Sequence, residues 1–145
     1  VRHVNYGEED IQNIYYLRRS KMACLGNHLI IDLYGCDFDE INSEKVISNY
    51  LDELVAILKT DIRKKIIYKF EPQGISAAYI ISASHMTIHT WPEAGYAGID
   101  IFTCTNSWDK EKIVKHLKKS LQFEKITIEE KVRGNIANEF LDNNV

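Results

Sequence analysis

The chain has 145 residues, of which 45% are hydrophobic and 27% charged, and this composition is typical of one compact globular domain. The formal net charge of -3 argues against a nucleic-acid-binding protein, which normally carries a basic face. No apolar run approaches the roughly 18 residues that span a bilayer, and the first residues lack the layout of a signal peptide. We therefore expect a cytoplasmic protein that binds neither membrane nor nucleic acid.

The cysteines Cys24, Cys36 and Cys104 are odd in number and form no CxxC pair. The sequence therefore indicates neither a disulfide framework nor a zinc ribbon, and we expect free thiols. A free cysteine is usually an ordinary core residue. A chemical role for any of the three needs support from elsewhere in the sequence.

Hydrophobic periodicity predicts the secondary structure in chain order. A short helix over 8–19 is expected within an N-terminal extension of residues 1–25, ahead of a main domain over 26–134 and a polar tail over 135–145. The predicted strands cover residues 27–34, 64–70, 75–82, 85–91, 96–104 and 125–132, and the two main helices cover residues 43–59 and 108–121. Ser43 is a plausible N-cap for the first of these helices.

Successive strands joined by short turns favour antiparallel pairing. Two amphipathic helices then cover one face of the sheet, which predicts an α+β two-layer sandwich built on a mainly antiparallel sheet. The other face of the sheet is left over, so it must either be polar or be buried by something else.

The stretch SASHMTIHTWPE, residues 82–93, concentrates reactive side chains. A metal site on His85 and His89 is not favoured, because residues four apart on a strand lie about 13 Å from each other. A hydrolase built on Ser84, His89 and Asp100 is not favoured either, because no GxSxG elbow is present. The residues by themselves leave the reaction open.

Cys104 ends a predicted strand near these histidines, where a thiol can act as a general acid or a nucleophile. An inert cysteine at a strand end is the commoner situation, and composition alone favours it.

Three blocks of sequence carry further information, GNHLIIDLYGC (26–36), FEPQGIS (70–76) and SHMTIHTWPEAGYAGIDIFTC (84–104). In order and spacing they resemble the prokaryotic S-adenosylmethionine decarboxylase family. Members of that family are pyruvoyl enzymes that cleave their own chain before one serine. The resemblance therefore implies a lyase and proenzyme with a covalent pyruvoyl group, and it implies no metal.

The resemblance assigns the processing residues. It implies cleavage between Ala83 and Ser84, with Ser84 converted to the pyruvoyl group. Ser76 and His89 match the positions that assist this cleavage, and His89 is suited to proton transfer because the pKa of imidazole lies near neutrality. Cys104 matches the position that donates a proton to carbon after decarboxylation.

The resemblance also implies the substrate site. The substrate is S-adenosylmethionine, whose amine would form a Schiff base with the pyruvoyl ketone, and the product would be the aminopropyl donor for spermidine synthesis in polyamine biosynthesis. Phe70 and Trp91 match positions near the substrate, where their rings can stack on adenine or lie beside the sulfonium cation. Glu93 can neutralise a cationic substrate.

The family resemblance and the uncovered sheet face together predict a homodimer of processed protomers.

One position departs from the family pattern. Ala83 stands where the family has a glutamate before the cleavage serine, which removes a carboxylate beside the reactive bond. Two alternatives follow: the same mechanism acting on another amino acid such as ornithine or arginine, or an uncleaved regulatory homologue without activity.

Overall fold

The computed structural model describes residues 25–104 and 109–134. Residues 26–131 form one compact unit, and residues 25 and 132–134 belong to a second unit. The predicted helix over 8–19, residues 1–24 of the N-terminal extension and the polar tail over 135–145 lie outside the described residues.

The described elements follow the predicted order of strand, helix, four strands, helix and strand. They are β1 (Gly26–Tyr34), α1 (Phe38–Ile41), α2 (Glu44–Ile57), β2 (Ile62–Lys69), β3 (Ile75–Ile81), β4 (Ser84–Trp91), a 3-10 helix (Pro92–Ala94), β5 (Tyr96–Thr103), α3 (Lys110–Ser120) and β6 (Lys125–Arg133). Helix α1 and the 3-10 helix were not predicted, because a single turn is too short to display a helical period.

The six strands form one sheet in the order β2-β3-β4-β5-β1-β6. The pairings of β2 with β3, β3 with β4, β4 with β5 and β5 with β1 are all antiparallel. This confirms the predicted antiparallel sheet. Strand β4, which carries most of the reactive stretch, lies inside the sheet with a hydrogen-bonded neighbour on each side.

One face of the sheet shares a hydrophobic core with the helices. Strand residues such as Ile31, Tyr79 and Ile99 are at most 1% exposed. Residues of α2 and α3, among them Leu54 and Leu117, belong to the same core. Burial of apolar surface on one face only is what the alternating strand pattern predicts, and the α+β two-layer sandwich is confirmed.

Side-chain caps set where the two long helices begin. The Ser43 hydroxyl accepts a hydrogen bond from the backbone N–H of Val46 at 3.4 Å, which confirms the predicted N-cap of α2. Asp109 accepts the N–H of Lys112 at 3.1 Å and caps α3. Helix α3 therefore begins two residues after its predicted start.

The opposite sheet face, called the open face below, includes residues such as Ile66, Tyr68, Ile80, His89 and Asp100. Ile66 is 66% exposed, Tyr68 60% and Ile80 52%. An apolar surface of this kind on a sheet is typical of an interaction site. The described residues thus bury one face and leave large apolar side chains on the other.

We expect Leu54→Ala to lower the free energy of unfolding by about 2–5 kcal/mol, because it leaves a cavity between α2 and the sheet. Asn49→Ala, at an exposed position of the same helix, is the matched control and should change stability by at most about 0.5 kcal/mol. Urea unfolding followed by circular dichroism measures both. Equal losses in the two variants would contradict the placement of the core.

Candidate active site

Ser76 and His89 face each other across β3 and β4, where they form a direct cross-strand pair. The Ser76 hydroxyl and His89 Nδ1 are hydrogen-bonded. Both side chains lie on the open face, because they alternate with the buried residues Ile75, Ala77 and Ile88. The two residues that the resemblance pairs in processing are therefore in contact.

Aromatic and acidic side chains surround this pair. The His89 ring lies 3.9 Å from the Trp91 ring and 5.7 Å from the Phe70 ring, measured between centroids. Glu93 lies in the 3-10 helix after β4, and its carboxylate accepts a hydrogen bond from the Gln73 amide at 3.4 Å. Phe70, Ser76, His89, Trp91 and Glu93 are called the His89 end below.

Two glycines shape the loops at this end. Gly74 has φ 101 and Gly95 has φ 57, values that favour glycine over other residues. Gly74 closes the loop after β2, where its carbonyl accepts the N–H of Phe70 at 2.8 Å. Gly95 ends the 3-10 helix that carries Glu93. Both glycines therefore form the turns that position this end.

Ser84 lies at the other end of β4. Ser82 and Ala83 form the two-residue turn between β3 and β4, and Ser84 is the first residue after it. Its φ of 146 lies in a region that side-chain-bearing residues rarely adopt. A non-glycine residue in such a conformation costs roughly 1–3 kcal/mol and is typical of functional sites.

The backbone of Ala83, the residue before Ser84, is hydrogen-bonded at both its carbonyl and its N–H. The carbonyl of Ala83 accepts the backbone N–H of Cys104 at 2.9 Å, and the N–H of Ala83 donates to the Thr60 hydroxyl at 3.3 Å. Cys104 thus follows β5 directly beside the turn, and it is exposed. Ala83, Ser84, His85 and Cys104 are called the Ser84 end below.

The His89 end and the Ser84 end are separate within one chain. Ser84 and His89 are five residues apart, which corresponds to about 16 Å along an extended strand. The structure therefore brings Ser76 together with His89, and Ser84 together with Cys104, but it does not bring the two pairs together. Asp100 belongs to neither, since its carboxylate pairs with His28 Nε2 at 2.9 Å.

A groove of about 570 Å³ runs over the open face beside the His89 end. Its lining includes Tyr68, Ser76, His89, Trp91, Tyr96 and Asp100. The groove is concave, aromatic and edged by carboxylates, which suits a small organic molecule that carries a positive charge.

Sequence reasoning missed the pair formed by Asp32 and Tyr96. The Tyr96 hydroxyl donates to Asp32 Oδ1 at 2.5 Å, and Thr127 donates to Oδ2 at 3.2 Å. The hydrogen bond to Asp32, followed by burial, raises the pKa of Tyr96 to about 12. The Tyr96 ring also lies 5.3 Å from the Trp91 ring, so the pair supports one wall of the His89 end. Only alternation on β1 and β5 could have suggested this contact, because the two residues are 64 positions apart.

Three further features concern a buried cysteine, metal-binding groups and membrane-spanning helices. Cys36 is buried in the hydrophobic core, and this burial raises the pKa of its thiol to about 11. Residues 25–104 and 109–134 contain no group of three or more His, Cys, Asp and Glu side chains placed to hold a metal ion. Within the same residues no helix is long and apolar enough to cross a membrane.

Comparison with known proteins gives consistent matches. A family model described as S-adenosylmethionine decarboxylase matches residues 27–134. The S-adenosylmethionine decarboxylase proenzyme of Clostridium botulinum strain Langeland is 52% identical over 115 residues, covering 79% of this chain and 99% of that protein. The proenzyme of the same name from Carboxydothermus hydrogenoformans is 39% identical over 121 residues, covering 83% and 95%. The crystal structure of the adenosylmethionine decarboxylase from Aquifex aeolicus superposes with a TM-score of 0.70 at 31% identity, covering 77% of this chain and 92% of that one.

Fold and site together define an enzyme of the α+β two-layer sandwich class, in which Ser76 and His89 lie on the uncovered sheet face and Ser84 and Cys104 lie beside the turn between β3 and β4. The chain belongs to the S-adenosylmethionine decarboxylase family. The resemblance carried by the three sequence blocks is thereby confirmed.

We expect Tyr96→Phe to lower the free energy of unfolding by about 1 kcal/mol near neutral pH, because it removes a hydrogen bond to a carboxylate. The folded pKa of Tyr96, about 12, lies above its ordinary value of 10.0, so the bond contributes fully below pH 10 and is lost as pH rises through about 12. Urea unfolding of both proteins between pH 8 and pH 12 tests this. A stability difference that does not shrink over that range would contradict it.

Proposed function

We propose that this chain is an S-adenosylmethionine decarboxylase that makes a pyruvoyl group by cleaving itself between Ala83 and Ser84. The proposal is based mainly on the backbone geometry of the Ser84 end. A serine in a rare backbone conformation follows a carbonyl that is already hydrogen-bonded to the N–H of Cys104. The relatives named above are decarboxylase proenzymes, which supports both the reaction and the processing.

The two alternatives that Ala83 raised are not favoured. Relatives that are 52% and 39% identical are named S-adenosylmethionine decarboxylase proenzymes, not decarboxylases of ornithine or arginine. A regulatory homologue without processing would not need the conformation of Ser84 or the pair formed by Ser76 and His89. Cleavage uses the backbone carbonyl of residue 83, so an alanine side chain there is compatible with it.

Processing is an isomerisation followed by an elimination. The Ser84 hydroxyl oxygen attacks the Ala83 carbonyl carbon, the C–N bond between the two residues breaks, and the hydroxyl proton passes to the freed amine. The negative charge that develops on the carbonyl oxygen already faces the N–H of Cys104. The resulting ester then loses the carboxylate of Ala83 by elimination. Hydrolysis of the dehydroalanine that remains releases ammonia and leaves the ketone.

The residues around the turn fit this group, because Ser84 is partly exposed and next to an exposed thiol. The pyruvoyl ketone supplies the electron sink that decarboxylation of an amino acid requires. Cys104 is the proposed donor of the proton to the carbon that loses its carboxylate. The product is the aminopropyl donor for spermidine synthesis.

The His89 end supplies the other half of substrate recognition. Phe70 and Trp91 are 39% and 40% exposed, so their rings are available to stack on adenine or to contact the sulfonium group. Glu93, exposed beside them, neutralises part of the positive charge of the substrate.

The proposed site binds a small molecule and needs no metal. A cytoplasmic location is included in the proposal and is supported by the free thiols Cys36 and Cys104.

A homodimer completes the site. The two ends lie about 16 Å apart on one strand, which is too far for His89 to act on Ser84 in the same chain. If two copies bury their open faces against each other with antiparallel β4 strands, twofold symmetry places the Ser84 end of each copy against the His89 end of the other. The exposed apolar side chains Ile66, Tyr68 and Ile80 are then covered.

We expect the purified protein to show two masses under denaturing conditions, corresponding to residues 1–83 and to residues from 84 onward with no amine at the new N-terminus. The same preparation should release CO2 from S-adenosylmethionine and not from ornithine or arginine. Intact mass spectrometry and a labelled-CO2 assay make the two measurements.

The two serines that flank Ala83 provide matched variants. Ser84→Ala should remain one chain, because it removes the attacking hydroxyl, whereas Ser82→Ala should cleave like the wild type. Ala83→Glu restores the carboxylate of the family pattern and should cleave at least as fast as the wild type. A wild-type chain that stays intact would refute self-processing, and CO2 from ornithine or arginine alone would refute the substrate.

We expect Ser84→Ala and His89→Ala to be uncleaved when each is expressed alone and to complement each other when co-expressed. In the mixed dimer, one site combines the intact Ser84 of the His89→Ala chain with the intact His89 of the other chain. Only the His89→Ala chain should therefore be cut, and distinct affinity tags identify it by mass.

Two results would overturn the shared site. One is a monomeric mass in light scattering at micromolar concentration. The other is a mixed dimer in which neither chain is cut although the wild-type dimer cleaves normally, since that outcome requires both residues on the same chain.

A further inference from the structure

We propose that His85 is a catalytic residue of self-cleavage, acting as the base that takes the proton from the Ser84 hydroxyl in the first step. The proposal rests on the proposed function, because it assigns a role within that processing reaction. The step needs a proton acceptor, since a serine hydroxyl is a poor nucleophile until a neighbouring base activates it.

His85 is the base that the structure places at the reacting atom. Its Nδ1 lies 3.2 Å from the Ser84 hydroxyl oxygen, within reach for proton transfer. In the tautomer with the ring proton on Nε2, Nδ1 accepts the hydrogen bond from the hydroxyl. His89 of the same chain is about 16 Å away along the strand, so within one chain His85 is the imidazole that reaches the Ser84 hydroxyl.

The orientation of the His85 ring is set by stacking. The ring lies nearly parallel to that of Phe102, with 16° between the planes and 5.4 Å between the centroids. His85 and Phe102 are direct cross-strand partners on β4 and β5, so the sheet register aligns them. A second ring, that of His28, meets Phe102 edge-on at 5.9 Å. The stacking restrains the plane of the His85 ring, and in this orientation Nδ1 is the ring nitrogen beside the Ser84 hydroxyl.

Ser84, His85 and the leaving amine account for every proton that moves in this step. The Ser84 hydroxyl proton moves to His85 Nδ1 while the hydroxyl oxygen bonds to the Ala83 carbonyl carbon. The bond from that carbon to the Ser84 nitrogen then breaks, and the protonated imidazole returns the proton to the leaving amine. No oxidant, reductant or other reactant is consumed. The later elimination is left to His89, contributed by the partner in the proposed dimer.

The test compares rates of chain cleavage in freshly synthesised protein, followed by intact mass. His85→Phe keeps a flat ring that can stack on Phe102 but has no nitrogen, and His85→Ala removes the ring. Both should cleave about 100-fold more slowly than the wild type, the lower range for loss of a general base. Added imidazole should accelerate His85→Ala and leave His85→Phe unchanged, because only the first variant has space for the free base.

Hydroxylamine identifies the step that is slowed, since it cuts an accumulated ester. Neither His85 variant should yield hydroxylamine-dependent fragments, because the block precedes the ester. Cleavage of His85→Phe at the wild-type rate, accumulation of ester in that variant, or failure of imidazole to accelerate His85→Ala would each overturn the role of His85. Those results leave the proposed function intact as long as the wild type cleaves, whereas a wild-type chain that never cleaves overturns both. Ser82→Ala is the control for disturbance of the turn and should cleave normally.

Discussion

Strand β4 is hydrogen-bonded along both edges, to β3 and to β5, and its register on each side determines the geometry of the site. On one side His89 is opposite Ser76, and on the other Ser84 is opposite Thr103. A slip of one residue would turn every side chain of a strand to the other face, exchanging the buried Met86 and Ile88 for the polar side chains of their neighbours on β4. The hydrophobic core therefore maintains the register, and the register maintains the contacts of the reactive residues. The same rigidity keeps the Ser84 end and the His89 end apart, which is why a second copy of the chain is needed in the proposed mechanism.

The Ser84 end illustrates how a strained backbone is supported. The φ of Ser84 is unfavourable for a residue with a side chain. Hydrogen bonds on neighbouring residues offset that cost: Ser82 donates to the carbonyl of Asp61 at 2.9 Å, and Ala83 is bonded to both Thr60 and Cys104. The strain is thus confined to the residue whose hydroxyl must approach the preceding carbonyl. In the proposed reaction the same hydrogen bond from Cys104 serves the folded turn first and the developing oxyanion afterwards.

Polar groups on the open face are paired across strands. Asp32 is bonded to Tyr96 and Thr127, and Asp100 to His28. Two carboxylates on a face that also carries large apolar side chains would be costly to bury without partners. Pairing makes it possible for the face to pack against another surface while the groove beside His89 keeps its acidic character. In the proposed function, the open face thus serves both as the dimer interface and as part of the binding site for a cationic substrate.

The sequence by itself determined the six strands, the two long helices, the layer architecture and the family, because alternation and helical periodicity are local properties and the motif over residues 84–104 is long. The family resemblance also supplied the candidates for the proposed chemistry, including Ser84, His89 and Cys104. Only the tertiary structure decided which of them meet. Spacing along the chain does not reveal that Ser76 contacts His89 or that Cys104 approaches Ala83, because these contacts depend on strand register. The bond between Asp32 and Tyr96 joins strands from distant parts of the chain, so no local pattern predicts it. The contact between His85 and Ser84 could not be predicted from the sequence either, because adjacent strand residues normally point to opposite faces. Ser84 departs from this rule through its unusual φ.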